Sequence, residues 1–477
     1  MKDLRLTLNW VAENVGVEKC GLDLARLGRR NIAGISTDSR TVAQDEVFVA
    51  LAGNKFDGHD YVVQALERGA LALVTRRPLA GEVASQSFIV SDPLRALGDL
   101  ARALRLKQRI KVVAVTGSNG KTSTKDMLAA ILKRLDVNVV TTRGNFNNLI
   151  GVPLTLFRLS RRTRLAVLEM GMNRFGEISR LTHLAQPDVG LITSVGPAHL
   201  EFFGTVSQVA RAKGELYAGL PSEAVAVVNA DEPLLRREAK HFAGNCLYFG
   251  IDGRAEVRLG RVSLRGLAGQ TLIIYGPGAE KGRRVRLNFL GRHNAHNALA
   301  AAATALAVGA NWDQISEGLE EARYLNGRLA SFKTDSGQWI LDDSYNANPA
   351  SVEAGLRVLA GLKNKGRRGA ILGDMLELGL SGPELHRQVG RLAAALKLDF
   401  LALIGPLSRS TAAAAKRAGL SKNEVQEFEN PEQAAAWVAV EGGRGAVVLV
   451  KASQSMGLER AVDYLRNGAS PVGKAIE

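Results

Sequence analysis

The sequence predicts an α/β protein of three domains. Its 477 residues are too many for one hydrophobic core. Strand-like and helix-like segments alternate in the middle and again in the last third of the chain, which is typical of doubly wound parallel sheets. A glycine-containing loop between a strand and a helix has the form of a phosphate-binding loop. We therefore predict a small N-terminal α/β unit over residues 1–88, a central doubly wound P-loop ATPase-like domain over 89–326, and a C-terminal doubly wound Rossmann-like domain over 327–477.

The composition is that of a soluble globular enzyme, with 46% hydrophobic and 23% charged residues. The net charge of +15 is high, but the basic residues are scattered in short pairs and aromatic residues make up only 5% of the chain. This pattern favours a basic surface that attracts anionic small molecules over a nucleic-acid interface.

Cysteine usage and hydropathy bear on the compartment. Cys20 and Cys246 lie far apart in sequence and in no metal-binding spacing, which indicates reduced thiols and a reducing compartment. The N-terminal residues contain no apolar core, and no run of about 18 apolar residues occurs. We expect a cytoplasmic protein without a membrane span.

The N-terminal unit contains short helical and strand-like segments. Helices are predicted at 8–15 and 61–69, and strands at 47–51 and 70–75. Residues 78–87 show no periodicity, which suggests a domain boundary there.

A polar run precedes the first of these strands. It consists of Ser36, Thr37, Asp38, Ser39 and Arg40. These residues could form a hydrogen-bonded turn, or they could form the edge of a ligand site.

The central domain is predicted from a long alternation of strands and helices. Strands are expected at 112–115, 137–141, 165–170, 189–194 and 224–229, and helices at 94–106, 123–135, after Asn148, and at 176–184, 206–219 and 294–308. Residues 245–290 instead contain short alternating runs separated by glycine, which predicts an antiparallel addition.

The loop after the first central strand has the residues of a nucleotide-binding site. They are Gly117, Ser118, Asn119, Gly120, Lys121, Thr122 and Ser123. The glycines let backbone N–H groups face a phosphate, the helix N-terminus adds positive potential, Lys121 supplies a charge, and the Thr122 hydroxyl can hold Mg²⁺. The match is incomplete, because Val115 stands where the common motif has its first glycine.

The third domain repeats the alternation. Strands are predicted at 339–342, 369–372, 400–404 and 446–450, and helices at 350–362, 383–397, 408–418 and 431–440. It has no phosphate loop of its own, so we expect it to supply a second substrate site or a clamp.

Three central residues are candidates for chemistry. Glu169 ends a strand beside the phosphate loop, where an acidic side chain can hold a metal bound to phosphates, although a capping or surface carboxylate would look the same. His199 follows another strand end, and a lone histidine there suits a structural role as well as a functional one. Lys213 has the pattern of a solvated helix residue.

Polar residues also gather near the junction with the third domain. Asn294 and Asn297 are three positions apart on one face of a helix, and since capping accounts for only one amide, the pair suggests recognition of a base or a backbone. Arg328 stands where it can reach across to a phosphate. The run 342–349 follows a strand, as a second wall of an active site or as a simple Asn-Pro turn.

With these motifs in order, the chain resembles the Mur ligase family over essentially its whole length. The motifs are STDSR at 36–40, FVALAGNKFDGHDYV at 48–62, TGSNGKTS at 116–123, TRGNFNNLIGVPLT at 142–155, EMGMNRFGEI at 169–178, AKGE at 212–215, GRHNAHNALAA at 291–301, NGR at 326–328, DSYNANP at 343–349 and GDMLELG at 373–379. Of these, YNANP, GNFNN and GDMLELG resemble the members that act on a tripeptide and a dipeptide.

The resemblance implies ATP-dependent formation of a peptide bond in peptidoglycan synthesis. ATP would phosphorylate the terminal carboxylate of UDP-N-acetylmuramoyl-tripeptide, and the amine of D-alanyl-D-alanine would attack the acyl phosphate, giving the pentapeptide. Both reactants are anionic, so cationic groups and Mg²⁺ must neutralise charge. We expect these substrates, no nucleic acid, and a monomer.

The resemblance also implies roles for single residues. The catalytic set is Lys121, Glu169, His199, Lys213, Arg328 and Asp343. Thr122 and Glu169 would hold one Mg²⁺, and His199 would help to hold a second together with Lys213, converted by CO₂ into a carbamate. Asn294 and Asn297 would meet the adenosine of ATP, with Arg328 and Asp343 clamping from the third domain.

Substrate contacts are implied in the same way. The candidates are Ser36, Thr37, Asp38, Ser39, Arg40, Asn145, Asn147, Asn148, Arg174, Tyr345, Asn346 and Asn348. Two alternatives stay open: an amide ligase similar to folylpolyglutamate synthase, which should lack the N-terminal STDSR unit, and a P-loop NTPase stimulated by nucleic acid.

Overall fold

The computed structural model describes residues 2–53, 56–251, 253–324 and 326–468. Asn54 and Lys55 of the motif at 48–62, and residues 469–477 of the predicted third domain, lie outside the described residues.

The first sheet has five strands in the order β1-β5-β4-β3-β2. These strands are β1 (Val17–Cys20), β2 (Gly34–Ser36), β3 (Glu46–Val49), β4 (Ala72–Thr75) and β5 (Ser87–Val90). Strands β2 to β5 are parallel, and β1 is antiparallel to β5. The helices of this part are α1 (Leu8–Asn14), α2 (Leu24–Leu27), α3 (Val62–Glu67) and α4 (Gly81–Ala84). Residues 78–87, which were predicted to be irregular, thus contain α4 and the first residue of the inner strand β5.

The second sheet has nine strands in the order β14-β13-β12-β11-β10-β9-β6-β8-β7. They are β6 (Lys111–Thr116), β7 (Asn138–Thr141), β8 (Thr163–Glu169), β9 (Val189–Ile192), β10 (Val225–Asn229), β11 (Asn245–Gly250), β12 (Val257–Leu264), β13 (Gln270–Tyr275) and β14 (Arg283–Leu287). Strands β6 to β12 are parallel, and only β13 and β14 are antiparallel to their neighbours. The prediction that the whole of 245–290 is antiparallel is therefore wrong for β11, which continues the parallel sheet beside β10.

Helices cover both faces of this second sheet. They are α5 (Pro93–Leu106), α6 (Lys121–Leu132), α7 (Gly151–Leu156), α8 (Glu177–Ala185), α9 (Leu200–Phe203), α10 (Val206–Ala218), α11 (Pro233–Ala239), α12 (Arg292–Val308) and α13 (Trp312–Glu321). Buried residues of α6, α12 and α13 form one core with the sheet. On the other face, α5, α7, α8 and α10 share a second core with residues of the first sheet, including Phe88. The doubly wound prediction is confirmed for this part.

The third sheet has six strands in the order β15-β16-β20-β17-β18-β19. They are β15 (Ala330–Lys333), β16 (Trp339–Asp342), β17 (Arg368–Gly373), β18 (Phe400–Ile404), β19 (Val425–Phe428) and β20 (Val447–Lys451). All pairs are parallel except β15 with β16. The helices α14 (Pro349–Gly361), α15 (Gly382–Ala395), α16 (Ser408–Arg417), α17 (Pro431–Glu441) and α18 (Glu459–Asn467) cover the two faces of this sheet, each with its own core.

Short 3₁₀ helices complete the secondary structure. They cover Lys2–Leu4, Gly58–Tyr61, Lys133–Leu135, Gly379–Ser381, Lys422–Glu424 and Gln454–Met456. The three-domain α/β architecture is confirmed, while the boundaries after residues 88 and 326 stay predictions, and β5 of the first sheet runs on to Val90. Among the helices described, none has both the length and the apolar character needed to cross a bilayer.

Candidate active site

A cleft of about 530 Å³ lies at the carboxyl ends of the central parallel strands. Its central-domain wall includes the phosphate loop, Glu169 after β8 and the start of α12. Its other wall belongs to the third domain and includes Arg328, Asp343 and Tyr345. Ligands collect at this edge of open parallel sheets, so the cleft is the candidate active site.

The phosphate loop connects β6 to α6 through a left-handed glycine. Gly120 has φ +81°, and a Cβ atom there would lie 2.2 Å from Oδ1 of Asn297, so no larger residue fits without displacing that amide. The loop is fixed from β9, because the Ser118 N–H donates to the Ser194 carbonyl at 2.8 Å and the Asn119 N–H donates to Ser194 Oγ at 3.1 Å. The first turn of α6 therefore points into the cleft.

Lys121 is the cation of this loop. Its Nζ donates to the Gly117 carbonyl at 2.6 Å. Burial lowers the pKa of Lys121, the Glu169 carboxylate acts in the opposite direction, and Arg328 lowers the pKa further. Because burial and a second cation both disfavour the charged amine, an anion placed in the cleft would be bound with added strength.

Glu169 is held by two side chains and one backbone contact. Thr122 Oγ1 donates to Oε2 at 2.9 Å, Asn147 Nδ2 donates to Oε1 at 2.9 Å, and the Glu169 N–H donates to Thr142 Oγ1 at 2.9 Å. A hydroxyl and a carboxylate beside a phosphate loop are a donor set that suits Mg²⁺, which completes its octahedron with water and phosphate oxygens. The part of the chain that the structure describes contains no group of three or more His, Cys, Asp or Glu arranged as a metal site.

His199 lies in the turn before α9 with φ +56°. Its Nδ1 lies 2.7 Å from Oε2 of Glu377, a residue of the third domain, and its ring lines the cleft. The neighbouring His199 lowers the pKa of Glu377, although the contact lacks hydrogen-bond geometry, since Nδ1 is among the buried atoms without a hydrogen-bond partner in the described structure. The histidine therefore contacts both the cleft and the neighbouring domain.

Lys213 on α10 is buried rather than solvated, with 1% of its surface exposed, and it lines the cleft. Burial moves the pKa of Lys213 well below its ordinary value, and the nearby Lys121 lowers it further. Among the described residues, its side chain makes neither a hydrogen bond nor an ion pair. Burial of this kind favours the neutral form of the amine, which is the nucleophilic one.

Asn294 and Asn297 in the first turns of α12 contact each other, as their spacing predicts. The Asn297 Nδ2 group donates to Asn294 Oδ1 at 3.0 Å, and Asn294 Nδ2 donates to the Leu290 carbonyl at 2.9 Å. Both amides are buried and line the cleft.

The third domain reaches the phosphate loop at two points. Arg328 Nη2 lies 3.5 Å from Thr122 Oγ1, and its guanidinium stands 4.1 Å from the centre of the Tyr345 ring. Asn348 Nδ2 donates to Asn119 Oδ1 at 2.8 Å, while its own Oδ1 caps α14 by accepting the Ser351 N–H at 2.9 Å. The clamp expected from the third domain is therefore in contact with the loop.

Asp343 has a buried partner that sequence reasoning missed. Lys451 Nζ lies 2.6 Å from Asp343 Oδ2 and donates to the Asn346 carbonyl at 2.8 Å. Burial raises the pKa of Asp343, and the charge of Lys451 opposes that change. A lysine at the end of the apolar strand β20 is a signal that could have been noticed, because β20 pairs with the strand that leads to Asp343.

Only some of the candidate substrate residues line this cleft. Those that do are Asn145, Asn147, Tyr345, Asn346 and Asn348. Asn148 caps α7 through the Gly151 N–H at 2.8 Å, and Arg174 is exposed outside the cleft lining.

The polar run 36–40 also lies outside the cleft lining. Arg40 makes a two-pronged contact with Asp38, at 2.9 Å and 2.8 Å, and Ser39 Oγ donates to Gln64 Oε1 at 2.6 Å. Ser36 Oγ donates to the Asp38 carbonyl at 3.2 Å. The run therefore forms a hydrogen-bonded turn, and its role in ligand binding stays a prediction.

Three family models match successive parts of the chain. They are "Mur ligase family, catalytic domain" over residues 31–117, "Mur ligase middle domain" over 115–305 and "Mur ligase, glutamate ligase domain" over 327–454.

Several relatives carry the name UDP-N-acetylmuramoyl-tripeptide–D-alanyl-D-alanine ligase, and two of them show the extent of the match. The protein from Haemophilus influenzae is 37% identical, covering 95% of this chain and 95% of its own length. The protein from Escherichia coli K12 is 34% identical, covering 98% of this chain and 100% of its own length.

Solved structures of MurF ligases also match this chain. The crystal structure of MurF from Acinetobacter baumannii matches with a TM-score of 0.84 at 32% identity, covering 92% of this chain and 94% of that one. The MurF ligase from Thermotoga maritima in complex with ADP matches with a TM-score of 0.81 at 30% identity, covering 91% and 96%. A folylpolyglutamate synthase from Mycobacterium tuberculosis shares the fold alone, with a TM-score of 0.63 at 18% identity, covering 78% and 95%.

Proposed function

We propose that this chain, which belongs to the Mur ligase family, joins D-alanyl-D-alanine to UDP-N-acetylmuramoyl-tripeptide at the expense of ATP. The observation that carries this proposal is the cleft in which the phosphate loop and Glu169 face Arg328 and Asp343 of the third domain. A chain with this cleft matches ligases of that name over almost its whole length. The product supplies peptidoglycan synthesis.

The first step is transfer of the γ-phosphoryl group of ATP to the terminal carboxylate of the tripeptide. The O–P bond to ADP breaks as a new O–P bond forms on the carboxylate, which turns a poor electrophile into an acyl phosphate. The N–H groups of the loop and Lys121 bind the phosphates, and Arg328 adds a cation from the third domain. This charge neutralisation allows two anionic reactants to meet.

In the second step the amine of D-alanyl-D-alanine attacks the acyl carbon. The C–N bond forms, the C–O bond to phosphate breaks, and the proton that the amine nitrogen loses passes to the departing phosphate or to water. The cleft contributes mainly by holding the amine against the acyl phosphate, because orientation of two bound reactants removes a large entropic barrier. Tyr345, Asn346 and Asn348 on the third-domain wall are the proposed contacts of the dipeptide.

Magnesium would be held at two places. Thr122 and Glu169 would bind one ion, and His199 with Lys213 would bind a second, and the two ions would neutralise charge on the phosphates. Lys213 could take part only as a carbamate, which forms when a neutral amine attacks CO₂ and releases one proton. The buried, unpaired state of Lys213 among the described residues supports this modification.

The remaining contacts are proposed on the same basis. Asn294 and Asn297 bind the adenosine of ATP, and Asp343 clamps it from the opposite wall. The UDP-linked substrate contacts the turn 36–40, the asparagines Asn145, Asn147 and Asn148, and Arg174. We also propose domains over 1–88, 89–326 and 327–477, a cytoplasmic monomer, and no nucleic-acid partner.

Phosphate release from ATP tests the proposal. We expect release that requires UDP-N-acetylmuramoyl-tripeptide and D-alanyl-D-alanine together, with the pentapeptide identified by mass spectrometry. Polynucleotide, and a folate substrate with glutamate, serve as the two competing additions. Release with either of these and none with the peptide pair would refute the ligase assignment.

A further inference from the structure

A second cavity, the junction cavity, lies where the central domain meets the third domain. Its volume of about 520 Å³ is in the range of small-molecule sites. Strands β12 and β13 and the residues that lead into α12 form one wall, and α14 of the third domain forms the other. Most of the lining residues are glycine, alanine or aliphatic. The junction cavity therefore favours an occupant that is mainly apolar.

The junction cavity is distinct from the reaction cleft. Of the residues that the structure describes, only His293 and Ala354 line both. The phosphate loop and the amides of Asn294 and Asn297 line the cleft and not the junction cavity. An occupant of the junction cavity would therefore lie beside a bound nucleotide without taking its place.

The two domains approach each other closely at the junction cavity. Gly291, just before α12, has φ +86°, and a Cβ atom there would lie 2.6 Å from Cγ2 of Val358 on α14. The buried Leu290 belongs to the same apolar core as Leu356 and Leu359 of α14. A molecule in the junction cavity would therefore contact both domains at a place where they already pack together.

The wall of the junction cavity contains one buried acceptor without a donor. Gln270 on β13 is 0% exposed and lines the cavity, and its Nε2 donates to the Gly291 carbonyl at 2.9 Å. This bond shows which end of the amide carries the hydrogens, so Oε1 is the acceptor. Oε1 accepts no hydrogen bond from any residue that the structure describes. Buried acceptors are nearly always paired, so an occupant with a donor would supply what the chain does not.

We propose that the junction cavity binds a small, mainly apolar molecule with one N–H or O–H group, which donates to Oε1 of Gln270, and that this binding strengthens nucleotide binding in the reaction cleft. The apolar walls select the body of the molecule, and the unpaired oxygen selects its donor. The inference rests on the proposed function only in placing a nucleotide in the cleft.

The effect on the nucleotide follows from the position between two domains. An occupant that contacts both walls favours the docked arrangement, in which Arg328 Nη2 lies 3.5 Å from Thr122 Oγ1 of the phosphate loop. Docking thus places a third-domain cation beside the phosphate site. Because coupling between two sites is reciprocal, a bound nucleotide must strengthen binding in the junction cavity by the same factor.

Indole and 1-methylindole are the probes, since the two rings have similar shapes and only indole has an N–H donor. Each is titrated calorimetrically into the full chain saturated with ADP, so that the reaction cleft is already occupied. We expect indole to bind with a Kd of about 1 mM, a reasonable affinity for so small a molecule. Binding of 1-methylindole should be weaker by about tenfold or more, because it leaves the buried oxygen unpaired.

Two glutamine variants locate the binding. Gln270→Met keeps the length of the side chain and removes Oε1, so it should weaken indole binding about tenfold and remove the difference between the probes. Gln338→Met is the matched control. Gln338 is also 0% exposed, its Nε2 donates to the Ala439 carbonyl at 3.0 Å, and its Oε1 is also unpaired among the described residues, but it does not line the junction cavity. This control should bind both probes as the unmodified chain does.

A second titration measures the effect on the nucleotide. ADP is added to the chain in the presence of indole at about ten times its Kd, and again without indole. Indole should lower the Kd for ADP about fivefold or more in the unmodified chain and in Gln338→Met, and much less in Gln270→Met.

The proposal is overturned if indole does not bind below about 10 mM, if 1-methylindole binds as tightly, or if Gln270→Met binds indole as the unmodified chain does. An ADP affinity that indole lowers or leaves unchanged overturns it as well, and a lowered affinity would mean that indole competes for the cleft. These titrations contain no ligation substrate. Product formation by the unmodified chain tests the proposed function separately, so absence of the pentapeptide would remove the ligase assignment and leave the binding result standing.

Discussion

Replacing Asp343 by asparagine should destabilise the third domain strongly. The residue Asp343 is 9% exposed and its partner Lys451 is 2% exposed, so the substitution leaves a buried amine without its counter-charge. Breaking a buried ion pair on one side costs about 3–5 kcal/mol. For a domain of this size each kcal/mol lowers Tm by about 2–4 °C, so the third-domain transition should fall by roughly 6–20 °C.

The double variant Asp343→Asn/Lys451→Met isolates the cause. Replacing both members of a buried pair is far less costly than removing one, so most of the loss should be recovered. About 1 kcal/mol of loss should remain, because the Asn346 carbonyl loses its donor. Glu432→Gln is the control, since it breaks a more exposed pair with Arg460 at 3.4 Å and should change stability by less than about 1 kcal/mol.

The pH dependence of the single variant gives a second check. Burial lowers the pKa of Lys451, so in Asp343→Asn the unfolded chain binds the proton more tightly than the folded one. Stability must then rise with pH until the ordinary lysine pKa is reached. Differential scanning calorimetry across this range measures both effects. A single variant as stable as the unmodified chain, or a double variant no better than the single, would refute the reasoning.

Three further predictions concern the cleft. Gly120→Ala should weaken ADP binding at least tenfold, about 1.4 kcal/mol, in calorimetric titration, because the new Cβ would lie 2.2 Å from Asn297 Oδ1. Gly176→Ala is the control and should leave ADP binding unchanged, since Gly176 is also left-handed at φ +85° but has no atom within 4 Å of the Cβ position. Equal effects of the two variants would contradict the steric cause. Burial lowers the pKa of His293 to about 4, below its unfolded value of about 6.5. The stability of the folded chain should therefore fall as the pH drops from about 6.5 to about 4. Denaturation of His293→Gln should show a weaker dependence of stability on pH over this range. Lys213→Ala should be inactive and regain activity with short carboxylates, while Lys213→Arg stays inactive; no rescue together with an active arginine variant would exclude the carbamate.

The alternation of strands and helices predicted the second and third sheets because their buried strands are apolar and end abruptly. The pattern could not show that β11 is parallel to β10. Strand direction here is set by α11, whose sequence PLLRREA is too charged and too short to be recognised as a crossover helix. The edge strand β19 was also missed, since its four residues carry polar side chains that periodicity does not distinguish from a loop.

The predicted site residues on the loop, β8, α12 and the start of the third domain do line one cleft. The pattern predicted them because strand ends and helix starts carry unusual polar residues. The partners Lys451 and Glu377 were missed for a different reason. Each acts on a residue more than a hundred positions away, and only the pairing of β16 with β20 or the docking of two domains brings them together.

From the charge distribution of the cleft we expect nucleotide binding to be coupled to domain docking. The helices α6, α12 and α14 all begin at the cleft, and each helix start carries partial positive charge. Docking brings Arg328 of the third-domain wall near Lys121 of the opposite wall, and the charge of Arg328 lowers the pKa of that amine. The charges of Lys121 and Arg328 disfavour each other, and a phosphate chain bound between the two cations would attract both. Because such coupling is reciprocal, whatever favours docking must raise nucleotide affinity by the same factor.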